Sequence, residues 1–108
     1  MLRAVFSRKN NVWCGFRISG HAGYGEAVSE NEGNDIVCAA VSSCTMLVCN
    51  CITDFFKAKA EAEVLENRIT LTLSERHEAA ERLIEAFYGH LEMISEDYNG
   101  KVKLTIDS

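Results

Sequence analysis

The chain has 108 residues, 47% of them hydrophobic and 25% charged, with a formal net charge of -5. This length supports one hydrophobic core and excludes two independent ones, so residues 1–108 are read as a single domain. The negative balance opposes long-range attraction to phosphate backbones, and no direct nucleic-acid partner is expected.

Leu2, Ala4 and Phe6 alternate with Arg3, Val5 and Ser7, the period-two pattern of a first strand. Arg8-Lys9-Asn10-Asn11 is a polar turn. Beyond it, Val12, Cys14, Phe16 and Ile18 alternate with Trp13, Gly15, Arg17 and Ser19 in a second strand, pairing as a hairpin. Trp13, Gly15 and Arg17 are expected on its outward face, where they offer a subunit contact. From Gly20 to Asn34 periodicity disappears into a solvated loop carrying Gly23, Gly25, Gly33, Glu26, Glu30 and Glu32. A loop this long is more often functional than a plain connection.

Asp35 reads as the N-cap of a long helix running to about Lys57. Ala62 and Val64 mark a third strand, and Ile69, Leu71 and Leu73 a fourth. Ser74 is the expected cap of a second helix, whose apolar stripe (Leu83, Ile84, Phe87, Tyr88, Leu91, Ile94) lies opposite its glutamates. Asn99-Gly100 ends it, and Val102, Leu104 and Ile106 form a last strand. The order is ββαββαβ. It implies an α+β two-layer sandwich, a mostly antiparallel sheet covered by two helices.

The chain has five cysteines, an odd number. Cys38, Cys44, Cys49 and Cys51 share one helix, where none can pair without unwinding it. With no leader pattern at the start, a reducing cytoplasm is the expected compartment. Ile36 to Thr53 is uncharged and just long enough to be a candidate membrane span, but Ser42, Ser43, Thr45, Asn50 and Thr53 dilute it. A core helix is the better reading, and no membrane partner is expected. No metal is expected either: Cys38 and Cys49 share a face about 16 Å apart, and Cys44 and Cys51 point elsewhere. His77 and His90 are expected on nearly opposite sides of the second helix, both exposed to solvent.

The chemistry centres on His21 and Cys38. With Asp35 as cap, Cys38 occupies the first helical turn, where unpaired N–H groups and the dipole favour a thiolate. Those N–H groups are also candidates to receive an oxyanion. Asp35 opposes the thiolate electrostatically, yet it also offers to orient an imidazole. Taken singly, Cys38 reads as a small buried hydrophobe and His21 as plain surface. Taken together they form a Cys–His pattern, because a strand end and a helix start can meet at one edge of the sandwich.

Gly20-His21-Ala22, the glycine-bearing acidic loop and Asp35-Ile36-Val37-Cys38-Ala39-Ala40-Val41-Ser42 together resemble the ribosomal-processing cysteine protease Prp family. The resemblance covers the whole chain. It implies a cysteine endopeptidase that removes a short N-terminal extension from large-subunit ribosomal protein twenty-seven. It also implies a homodimer and no cofactor. Cys38 then looks like the nucleophile and His21 like its general base and acid, with Gly20, Asp35 and Ser42 at the family's other motif positions. Ala22, Gly23, Tyr24, Gly25 and Gly33 belong to the expected substrate loop. The loop is longer than usual for the family, which bears on how substrate is admitted. The competing reading is a non-catalytic peptide-binding or ribosome-assembly module of the same fold.

Overall fold

The structure, a computed structural model, describes residues 1–20 and 32–108, with backbone alone for 32–35. The chain forms β1 (Leu2–Lys9), β2 (Val12–Ser19), α1 (Glu32–Asn50), a π-helical turn (Cys51–Phe55), β3 (Ala60–Leu65), β4 (Arg68–Leu73), α2 (Glu78–Asp97) and β5 (Val102–Asp107). The five strands make one sheet in the order β3-β4-β2-β1-β5, antiparallel except for the β1–β5 pair. The expected two-layer sandwich is the observed one.

The β1–β2 hairpin turns at Asn10 and Asn11, with φ of 54° and 65°. Asparagine tolerates this left-handed conformation, and the resulting two-residue turn matches strand twist. The register shifts between Ser7 and Arg8: Ser7 faces Gly15 and Arg8 faces Trp13, which leaves Cys14 as the extra residue of a bulge. The bulge corrects one expectation. Trp13 does not share an outward face with Arg17. It turns to the helix side, 6.2 Å from Phe6 and 5.0 Å from Tyr88 between ring centroids.

Beneath the helices lie Leu2, Ala4, Phe6, Phe16, Ile18, Ile69 and Leu71, all buried. Phe6, Phe16 and Phe87 meet with centroids 5.1 to 5.8 Å apart. Burying each ring stabilises the fold by roughly 1.5–3 kcal/mol. Ile84, Phe87 and Leu91 bring α2 onto this cluster, and Val37, Val41, Val48 and Ile52 bring α1. The segment Ile36–Phe55 is long and apolar enough to cross a membrane, yet its inner seam is packed in the core and 39% of it is buried.

Helix boundaries differ from expectation at two points. α1 begins at Glu32, so Asp35 lies within its first turn and is not its N-cap. Gly33 belongs to the helix and not to the loop. α2 is capped by His77, whose Nδ1 accepts from Ala80 N at 3.1 Å; Ser74 is not the cap. Glu81 secures this start by accepting from His77 N at 2.8 Å and from the Arg76 guanidinium at 2.9 and 3.2 Å. His77 is half-buried rather than exposed, and stacks on Phe56 at 5.9 Å and 12°.

Candidate active site

Strand directions decide where Gly20 and Cys38 lie. β2 and β3 are both antiparallel to β4, so they run the same way. α1 joins them and must return along the sheet from the end of β2 to the start of β3. The first half of α1, with Cys38, therefore lies at the end of the sheet where β2 finishes at Gly20. β2 is the central strand, flanked by β4 and β1.

Gly20 ends β2 with φ of 91°, a conformation that favours glycine. A Cβ there would stand 2.5 Å from the Met1 carbonyl oxygen. Gly20 N donates to Asn67 O at 3.1 Å, tying the strand exit to the β3–β4 turn. Gly20 itself is thus fixed on both sides. His21 follows directly; His21, Ala22, Gly23, Tyr24 and Gly25 lie outside the described residues.

Cys38 is half-buried and packs against the core, while Ser42, one turn further along the same face, is buried. Because α1 begins at Glu32, Cys38 stands in the second turn and not the first. Its distance from the helix start is about 9 Å along the axis, beyond the first turn over which the dipole acts strongly. The unpaired N–H groups belong to residues 32–35, which takes the expected oxyanion donors away from Cys38 itself.

The other thiols have different environments. None of the five cysteines is in a disulfide. Burial pushes the Cys49 thiol up to about 11 and raises that of Cys44. Cys14 Sγ contacts Ser7 O at 3.4 Å within the bulge. Among the described residues, no three His, Cys, Asp or Glu side chains gather closely enough to hold a metal ion. A depression of about 400 Å³ over β3 and β4 is lined by Glu61, Ala62, Glu63, Thr70 and Thr72, and contains no residue of the two motifs.

One feature escaped periodicity altogether. On the sheet face away from the helices, Arg68, Ser19, Arg3 and Lys103 fall in one cross-strand row, at the same end as Gly20. Only the strand register reveals it.

A five-stranded α+β sandwich that presents a helix-borne cysteine beside the exit of its central strand has the architecture of a small thiol hydrolase. The chain belongs to the family described as cysteine protease Prp, whose model matches residues 1–103, and is a cysteine protease. Among solved structures, it is 27% identical to SMU.848 from Streptococcus mutans, with a TM-score of 0.78 over 98% of this chain and 93% of that one. It is 19% identical to the essential ribosomal processing protease Prp from S. aureus in complex with a substrate peptide, with a TM-score of 0.86 over 99% and 100% of the two chains. The same S. aureus protease with a covalently linked product peptide is 17% identical, with a TM-score of 0.81 over 99% and 100%. No curated protein matches the chain.

Proposed function

We propose that this protease removes the N-terminal extension of large-subunit ribosomal protein twenty-seven in the cytoplasm, with Cys38 as nucleophile and His21 as its base and acid. The observation that supports this reading is directional: parallel β2 and β3 require α1 to start where β2 ends, so Gly20 and the half of α1 that bears Cys38 share one end of the sandwich. The substrate class is supported by the S. aureus processing protease, which has the same fold and is described with a substrate peptide.

In the proposed reaction His21 takes the Cys38 proton and the thiolate attacks the scissile carbonyl. His21 then protonates the leaving amine, and water hydrolyses the thioester. Since the helix start lies a turn and more away from Cys38, the imidazole carries most of the activation.

The working form is proposed to be a homodimer joined through the outer face of α1. Ile36, Ala39, Ala40, Ser43 and Leu47 recur at helical spacing on that face, all exposed and none charged. Ile36 is 59% and Leu47 62% exposed, and Phe55 extends the patch at 78%. Isolated exposed apolar residues are ordinary, but a continuous uncharged helix face is typical of an interface.

The test is cleavage of the ribosomal protein precursor, followed by intact-mass spectrometry. Cys38→Ala is expected to abolish cleavage, and His21→Ala to slow it by about 10²–10⁴-fold. A Cys38→Ala protein that still trims the precursor refutes the mechanism.

A further inference from the structure

The sheet face opposite the helices has a composition suited to a partner other than a peptide. Register aligns Arg68, Ser19, Arg3 and Lys103 in one row and Thr70, Arg17, Val5 and Thr105 in the next. Arg3, Arg17 and Lys103 are exposed. The ion pairs among the described residues are Arg68–Glu63, Arg76–Glu81 and Arg82–Glu85, so these three cations face no carboxylate.

Arg3 and Lys103 are direct cross-strand neighbours. Like charges in that position destabilise a sheet, so stability of the fold does not account for them. Arg68 is only loosely held: its one contact with Glu63 is 3.4 Å long, and its Nε has no acceptor. Four cations thus stand within about 15 Å of one another, at strand spacings of about 4.8 Å, and lack adequate counter-charge.

Net charge hides this arrangement: among the described residues Glu61 and Glu63 share the face only at its β3 edge and Asp107 only at the far end of β5, while the helix layer is strongly acidic. α2 carries Glu78, Glu81, Glu85, Glu92, Glu96 and Asp97 against Arg82 alone. A polyanion is therefore repelled by the helix layer and drawn to the sheet, which orients the molecule. The expectation of no nucleic-acid contact rests on the sum of charges, which does not describe their distribution.

We infer that the open face of β1, β2, β4 and β5 docks on the phosphate backbone of duplex RNA, without reading sequence. A protein partner needs a buried aromatic or large aliphatic anchor; on β1, β2, β4 and β5 the aliphatic side chain among the cations is half-buried Val5, and Leu65 stands beside Arg68 only on the β3 edge strand outside that face. Phosphate contacts need no such anchor. The face alternates Arg and Lys with Ser19, Thr70 and Thr105, whose hydroxyls suit phosphate and ribose 2′-OH groups. It has no aromatic platform for splayed bases, which favours a duplex over a single strand. The cationic row lies at the same end of the sheet as Gly20, so docking leaves the helix side of that end accessible. This inference does not depend on the identity of the nucleophile.

The test uses the full chain and a fluorescently labelled RNA duplex of about 20 base pairs, followed by anisotropy between 50 and 200 mM KCl. With three to four phosphates engaged, affinity should fall about 40- to 150-fold over that range. The double variant Arg3→Ser/Lys103→Ser should bind at least tenfold more weakly with a shallower salt dependence, while Arg82→Ser on α2 should match the parent. Precursor cleavage by the double variant should stay at the parent rate, which separates failure of RNA docking from failure of the protease reading. Absence of salt-dependent binding at 50 mM, equal binding by the double variant, or equal binding of a DNA duplex overturns the inference. Salt-sensitive self-association that the double variant loses also overturns it, and assigns the face to the acidic α2 of a second copy.

Discussion

Selective alkylation of the thiols offers a quantitative test of the site. Burial raises Cys49 from an ordinary 9.0 to about 11, and Cys49 is only 6% exposed. At neutral pH a rise of two units leaves about a hundredfold less thiolate than an ordinary thiol has, and poor access slows reaction further. Cys44 is raised by the same cause. With substoichiometric iodoacetamide at pH 7, Cys38 should be labelled first and Cys49 last, at least about 100-fold apart. Raising the pH to 9 should accelerate Cys49 about tenfold per unit, since it remains below its titration midpoint throughout. No Lys or Arg lies between Arg17 and Lys57, so tryptic digestion leaves Cys38, Cys44, Cys49 and Cys51 on one peptide. Fragment-ion mass spectrometry must therefore assign the label. Equal labelling of Cys38 and Cys49 at pH 7 would refute the reasoning, because burial would then have no hold over reactivity.

Gly20→Ala should lose about 2–4 kcal/mol of stability, from the left-handed φ and the encounter with the Met1 carbonyl; thermal or urea denaturation reads the loss. Glu81→Ala removes the acceptor from Arg76 and His77 N and should cost about 0.5–2 kcal/mol in the same assay, as loss of a helix cap does. The Glu81 carboxyl is held low by its hydrogen bonds from Arg76, against the opposing effect of burial. Its contribution is therefore full above the unfolded carboxylate pKa and is lost as pH falls through the lower folded value; acid titration of the Glu81→Ala protein should show a correspondingly smaller loss. Leu47→Glu should convert a dimer to a monomer in analytical ultracentrifugation without unfolding the exposed face it occupies.

Much of the sandwich can be read from alternation. Leu2-Ala4-Phe6 and Phe16-Ile18 lie in the core as their period requires, and the α2 stripe of Ile84, Phe87 and Leu91 faces the sheet. The bulge at Cys14 defeats alternation, because one added residue exchanges the two faces of the strand before it. The start of α1 escapes the sequence because Gly33 and Asn34 carry the residue types of a loop, yet the helix includes them. Histidine is an unusual cap, so Ser74 looked the better candidate; the Phe56 ring and Glu81 carboxylate that fix His77 come from elsewhere in the fold. At the site, Cys38 and Gly20 were legible as motif residues. The cationic row was not, since its members come from strands far apart in sequence and align only through register.

The central position of β2 has a consequence for synthesis. Its partner β1 is made just before it, but its other partner, β4, is made only after α1 and β3. At ribosomal speeds of about 5–20 residues per second, roughly fifty residues separate the two events and several seconds pass between them. Throughout that interval the β1–β2 hairpin exposes Phe16 and Ile18 beside an unsatisfied row of amides. A nascent chain paused in α1 is thus the moment of greatest risk of misassociation, and slow codons placed there should lower the soluble yield.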